Sequence, residues 1–293
     1  MNYDGFYLID KPKDWTSFDV CARMRKILNT RKIGHTGTLD PFATGLLIVA
    51  VGKATRLIPF LEKAKKTYVT KIILGQTSET LDPESEIVKC EPSSDRDTPW
   101  SVSTEWTIPS EEDVKKLLDT KFQGPIEQIP PQYSAIKMNG KKACDMARKG
   151  EKVEMKSRQT EIFETKILDY NFPEIEIELT VAAGFYVRSF ARDLGTELAG
   201  GGMCQELRRT KIEDISVEEA EPVDMITGPI DPKFILTNVP QREIPTGRVQ
   251  DFIAGRAFPF SGIEGEKILV LVGGKSIGVG EMICRKLQPR AVL

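Results

Sequence analysis

The sequence predicts an α+β fold followed by a small β-rich C-terminal domain, on three observations. The chain opens as strand, turn and helix ("GFYLIDKP" then "TSFDVCARMRKIL"). Segments alternating apolar and polar at period two, such as "KTYVTKIILG" and "EIEIELTVAAG", stand beside segments of helical period, such as "SEEDVKKLLDTKF" and "FYVRSFARDLGTELAG". From about residue 240 the helical period gives way to short apolar runs and glycines, as in "KILVLVGG" and "SIGVGEMICRKLQPRAVL". At 293 residues, with 40% hydrophobic and 29% charged, the chain has room for one large domain and a small one.

Each element has a local reason. Pro12 stops the first strand, and Thr16 or Ser17 caps a helix whose Val20, Met24, Ile27 and Leu28 recur at helical spacing. "GLLIVAVG" is a continuous apolar run between glycines and reads as a buried strand. "ATRLIPFLEK" reads as a short helix, and "SEEDVKKLLDTKF" as a helix capped by Ser110 with Asp113 at N3. Before it, residues 91–109 lack periodicity and read as an acidic surface insertion. "PPQYSAIKMNGKKACDMARKGEKVEM" opens on a diproline, turns at Asn139-Gly140 and reads as a protruding basic arm, hairpin-like or helical.

Composition removes several function classes. No apolar run reaches the roughly 18 residues of a membrane span, and the charged start lacks a secretory core, so the expectation is a cytoplasmic protein without a membrane partner. The five cysteines are scattered without a C-x-x-C and read as buried, reduced thiols. One histidine excludes a multi-histidine metal site, and no phosphate-binding glycine motif is present, so no metal and no cofactor are expected. The net charge of −2 hides asymmetry: residues 1–71 hold 13 Lys/Arg against 6 Asp/Glu, residues 136–158 hold 8 against 3, and residues 72–135 hold 5 against 13. A polyanion-binding face needs such local charge, although solvated charged faces are commoner.

The densest cluster of site-like residues is "GHTGTLDPFATG", residues 34–45. Pro41 disfavours the helical region for Asp40, which is therefore extended at the lip of the following strand, while Gly34, Gly37 and Gly45 permit close approach around it. Gly, Asp and Pro are also ordinary turn residues, and on spacing alone the turn reading stands ahead of the site reading. Elimination leaves carboxylate chemistry without metal or cofactor.

Five collinear segments between about residues 5 and 220 resemble the motifs of the TruB family of tRNA pseudouridine synthases: "LIDKP", "GHTGTLDPFATGLL", "KTYVTKIILGQTSETLD", "GFYVRSFARDLG" and "LRRTKI". The tail resembles a compact PUA RNA-binding domain through "IGVGEM" and "LQPRAVL". The resemblance implies a pseudouridine synthase fold with a mixed, largely antiparallel sheet over residues 1–238, a basic RNA-gripping insertion at about 124–158, and a PUA-like domain over 239–293. It implies isomerisation of a uridine in the T loop of tRNA, position 55 in tRNA numbering, by flipping the base out of the loop. Asp40 would be nucleophile or general base at the ribose, and His35 would fill the space the base leaves. Tyr68 would stack on the base, Arg188 would pair with Asp40, Tyr186 and Leu207 would line the uracil pocket, and Lys11 would support it.

The implied partner is the T stem-loop of tRNA, met by a monomer without guide RNA. Two departures stand out: Cys144 occupies an arm position where the family commonly has an aromatic, and the insertion at 91–109 is long and acidic. Two other classes remain open. An RNA-binding or RNA-folding protein would act equally well without the Asp40 carboxylate, and a glycoside hydrolase would need a second carboxylate opposite it.

Overall fold

The computed structural model describes residues 3–90, 108–134, 136–138, 140–150 and 153–293; of the acidic insertion expected at 91–109, only Ile108 and Pro109 are among them. In chain order the elements are β1 (Gly5–Lys11), α1 (Ser17–Ile27), β2 (Ile33–His35), β3 (Thr44–Val51), a 3-10 helix (Gly52–Phe60), β4 (Lys66–Leu74), β5 (Gln76–Ser78) and β6 (Ile87–Lys89). Then come α2 (Glu111–Lys121), β7 (Gly124–Gln128), β8 (Lys137–Met138), β9 (Lys141–Lys142), α3 (Ala143–Ala147), β10 (Arg158–Asn171), β11 (Glu174–Val181), α4 (Val187–Ala199) and β12 (Gly202–Ile212). The remainder holds β13 (Ile215–Ser216), β14 (Gln241–Glu243), α5 (Val249–Ile253), β15 (Phe258–Pro259), β16 (Lys267–Val272), β17 (Lys275–Ile283) and β18 (Lys286–Val292). Two compact units result, Met1–Ala64 with Asp214–Leu293, and Lys65–Glu213.

In the first unit, β3 pairs antiparallel with β1 and with the short β2. Val20 and Met24 of α1 and Leu28 at its end pack against Tyr7, Ile9, Leu47 and Val49 as the spacing predicted, whereas Ile27, the fourth residue of the predicted stripe, is exposed. Its N-cap is Thr16, in a reciprocal capping box with Asp19, worth about 1 kcal/mol. The segment expected as a short helix after β3 is 3-10 over Gly52–Phe60; Pro59 inside it has no N–H to give an α-helical turn. The tail forms its own sheet in the order β14-β16-β17-β18-β15 around Phe252, Phe258, Ile268, Val270 and Leu287. Cys284 and Arg285 turn β17 into β18 with both φ positive, at 49° and 59°, the sense a two-residue hairpin turn requires.

In the second unit, β4 lies between β12 and β11, and β10 and β7 extend the sheet beyond β11, all antiparallel. Most of the described pairs of both units are antiparallel, while β14 with β16 and the bridge from Ile9 to Glu221 are parallel, so the expectation of an α+β fold with a mixed, largely antiparallel sheet holds. α4 lies close on β12 because Gly195 and Gly202 face each other: a Cβ on Gly195 would meet Gly202 Cα at 2.3 Å. Phe190 of α4 packs edge-on against Phe122, with ring centroids 5.2 Å apart. The basic arm carries both predicted forms, a hairpin pairing Lys137 with Lys142 and then α3. Asn139, the first half of its predicted turn, lies outside the described residues, while Gly140 has φ 84°.

The five cysteines are free, as expected, but not all are buried: Cys21 and Cys204 are, Cys90 and Cys144 are partly exposed, and Cys284 is exposed at its hairpin turn. No helix among the described residues is long and apolar enough to cross a membrane.

Candidate active site

In the first unit, Asp40 sits in the loop joining β2 to β3, and two side chains from upstream hold that loop by its main chain. Ser17, the first residue of α1, accepts a hydrogen bond from the Leu39 N–H at 2.8 Å, and its hydroxyl donates to the Leu39 carbonyl at 3.4 Å. Lys11, the last residue of β1 and fully buried, donates through Nζ to the carbonyls of Pro12 (2.9 Å), Trp15 and Pro41 (3.1 Å). An ammonium has three donors, so three carbonyls satisfy a charge that could not otherwise be buried. The Pro41 carbonyl also accepts from the Asp14 N–H at 2.9 Å, and the Asp40 carbonyl from the Ala43 N–H at 3.1 Å. Asp40 is thus pinned through the residue on each side of it, between buried Leu39 and Phe42, and is itself half-buried. Gly45 at the start of β3 has φ 103°, which favours glycine, and His35 ends β2 opposite Val49.

In the second unit, Tyr68 lies mid-strand on β4, opposite Leu179 of β11 and Arg209 of β12. Leu207 is opposite Thr70 and therefore shares the Tyr68 face one step along; both side chains are buried. Tyr186 is the N-cap residue of α4, and Gln128 at the end of β7 grips its main chain at both ends. The Tyr186 N–H donates to Gln128 Oε1 at 2.9 Å, and Gln128 Nε2 donates to the Tyr186 carbonyl at 3.0 Å.

Arg188, in the first turn of α4, is buried and donates to Asp82 Oδ2 at 3.0 Å, to the Thr80 carbonyl at 2.9 Å and to the Tyr133 carbonyl at 2.9 Å. The Asp82 carboxylate accepts in addition from Thr80 Oγ1 at 2.5 Å and from the Glu84 N–H at 3.0 Å, while the Ser78 hydroxyl bridges the Asp82 main chain. Tyr133 donates its hydroxyl to Glu79 at 2.7 Å, which holds its pKa above the ordinary tyrosine value.

Of the residues singled out in the sequence, the fold links Lys11 to the Asp40 loop through Pro41, Tyr68 to Leu207 through the sheet, and Tyr186 to Arg188 at the start of α4. Three anchors had no site role in the sequence reading: Gln128, Asp82 and Ser17, which was only the alternative to Thr16 as helix cap. Asp82 did carry a signal, because Leu81-Asp82-Pro83 repeats the Leu39-Asp40-Pro41 tripeptide. Among the described residues no cluster of His, Cys, Asp and Glu is arranged to hold a metal.

Both units have relatives among known proteins. Residues 25–187 match the profile described as TruB family pseudouridylate synthase (N terminal domain). The chain is 37% identical to tRNA pseudouridine synthase B of Aquifex aeolicus, covering 99% of each, and 34% identical to that of Thermobifida fusca, covering 99% of this chain and 98% of the relative. The chain belongs to the TruB family of pseudouridylate synthases: it is an isomerase that turns uridine into pseudouridine. In architecture it matches the structure titled "Crystal structure of the archaeal box H/ACA sRNP Nop10-Cbf5 complex", with TM-score 0.69 at 21% identity over 99% of this chain and 86% of that one. A second match, an H/ACA RNP bound to a substrate RNA containing 2′-deoxyuridine, also has TM-score 0.69, at 20% identity over 99% of this chain and 85% of that one. The fold is that of the pseudouridine synthases with a PUA-like tail.

Proposed function

We propose that this chain isomerises a uridine in the T loop of tRNA, position 55 in tRNA numbering, and that Asp40 is its catalytic group. The reaction breaks N1–C1′, joins C5 to C1′, releases the C5 proton and leaves a proton on N1, so no oxidant, metal or cofactor enters the balance. Asp40 serves as nucleophile or general base at the ribose. His35 takes the space of the flipped base, Tyr68, Tyr186, Arg188 and Leu207 bind the uridine, and Lys11 holds the Asp40 loop. Extruding a base costs a few kcal/mol, which contacts to the rest of the loop offset. The basic arm at about 124–158 supplies phosphate contacts, and the PUA-like segment 239–293 a further RNA surface.

The observation that carries this reading is the bracing of Asp40 on both sides by Ser17 and Lys11 within the motif "GHTGTLDPFATGLL". A residue needed only to make a turn has no use for a buried lysine holding its neighbour. The chain spans relatives named tRNA pseudouridine synthase B almost end to end, which supports tRNA as substrate; a monomer acting in the cytoplasm without guide RNA is the remainder of the proposal. The test is tritium release from a tRNA transcript labelled at uridine C5, with the modified position mapped. Wild type releases tritium from one T-loop uridine, and Asp40→Asn binds the same transcript without release. Release by the mutant at the wild-type rate removes Asp40 from the chemistry, and modification elsewhere removes the T loop from the assignment.

A further inference from the structure

Phe18 is the second residue of α1 and is 65% exposed. A single exposed apolar side chain is ordinary. What sets this one apart is its company. The guanidinium of Arg25, two turns along the same helix face, lies over the Phe18 ring at 5.1 Å from its centroid. The same guanidinium donates to the carbonyl of Ile33 in β2, two residues before His35, at 3.3 Å. Ser17, next to Phe18, holds Leu39, one residue before Asp40. The aromatic–cation pair is therefore flanked by the two bonds that tie α1 to the segment running from Ile33 to Asp40.

We infer that Phe18 and Arg25 form a stacking platform for an unpaired nucleobase of the substrate RNA, next to the uridine on which Asp40 acts. This rests on the reading of Asp40 given above. Taking one base out of a folded loop leaves its neighbours without a stacking partner, and an exposed phenyl ring or a guanidinium plane replaces that partner without regard to base identity. The surrounding charge fits a polyanion: from Lys11 to Lys32 the chain carries seven Lys/Arg and two Asp/Glu. Of the two acids, Asp19 is occupied in the helix cap, and on the cationic side Arg23 is paired with Asp224. A protein partner seeking an apolar anchor would meet one ring set among cations, which is a poor match for an interface core.

The test uses the full chain and a tRNA transcript. Phe18→Ala raises KM about tenfold and leaves kcat near wild type, and Phe18→Trp restores KM, because stacking needs a ring and not this ring. In an Asp40→Asn background, Phe18→Trp gives tryptophan quenching on addition of transcript beyond that of Asp40→Asn alone. An unchanged KM in Phe18→Ala, a Phe18→Trp as impaired as Phe18→Ala, or no added quenching overturns the inference. So does a change in self-association of Phe18→Ala with KM intact, which would make the ring a contact between copies. A wild-type chain that forms no pseudouridine but still shows the added quenching refutes the reading of the site and leaves the platform standing.

Discussion

Replacing Asp82 by Asn tests whether the Arg188 network is a structural keystone of its unit. The two side chains are 5% and 1% exposed, so solvent cannot make up for a lost charge. Asn keeps the shape and one acceptor oxygen, but the three donors facing the carboxylate, from Arg188, Thr80 and Glu84, come from both of its oxygens' sides. With the amide oxygen toward Thr80 and Glu84, the amide NH2 points at the guanidinium; with the amide reversed, it points at the Glu84 N–H. Either orientation buries a donor against a donor, and the Arg188–Asp82 ion pair is lost. Removing one partner of a buried pair costs roughly 3–5 kcal/mol. For a unit of this size each kcal/mol lowers the melting temperature by about 2–4 °C, so calorimetry of the full chain should show a fall of roughly 10 °C. A cycle with Arg188→Met and the double variant should return a coupling of at least about 2 kcal/mol, since the double variant removes both members of the pair together. If Asp82→Asn melts with the wild type, or the coupling is near zero, the ion pair does not hold this site together.

Lys11→Met removes the buried Nζ donor to the Pro12, Trp15 and Pro41 carbonyls, of which the Pro41 carbonyl keeps its bond from the Asp14 N–H. Urea unfolding should show a loss of about 3 kcal/mol, and pseudouridine formation should fall although Asp40 is untouched; an unchanged midpoint would show that the bracing is dispensable. Lys66 gives a pH signature: burial first, then the Arg209 charge, lowers its pKa to about 8, against the pull of Glu213. The unfolded lysine titrates near about 10.4, so between the two values the unfolded chain binds a proton that the folded chain does not, and this group's contribution to stability rises with pH across that window. Lys66→Met should therefore be more stable relative to wild type at pH 7 than at pH 10, and a constant difference between the two pH values would refute the shift.

What could be read in the sequence was what repeats locally. The buried Val20, Met24 and Leu28 recur at helical spacing, and β1 and β3 each carry a continuous apolar run, so their burial and type follow from a few neighbouring residues. β10 escaped notice because most of its 14 residues are exposed or half-buried, leaving no buried face to mark the alternation. The 3-10 form of Gly52–Phe60 turned on one proline inside an otherwise helical pattern. In the candidate site, Asp40 was legible through its turn residues and its motif. Asp82 carried only the repeated Leu-Asp-Pro tripeptide; its pairing with Arg188, 106 residues away, could not be read because spacing cannot choose among the acids of that region. Ser17 and Gln128 were hidden for another reason: both bond to main chain, so nothing about Leu39 or Tyr186 as side chains points back to them.

Bonds to main chain also tie the start of α4 to the root of the basic arm. Gln128 holds Tyr186, Ser189 and Arg192 donate to the Ile129 carbonyl at 2.8 and 3.1 Å, and Arg188 donates to the Tyr133 carbonyl, so the first turns of α4 are stitched to residues 128–133, the root of the arm. Each of these bonds is worth about 0.5–1.5 kcal/mol, and they break together or not at all if the root shifts. Among the described residues beyond Ser134, the Cys144 N–H donates to the Ser134 carbonyl and the Ala143 N–H to that of Ile136, and Lys137 and Met138 pair with Lys142 and Lys141. Because Arg188 shares the root, a shift of residues 128–133 would disturb its bond to the Tyr133 carbonyl along with the others.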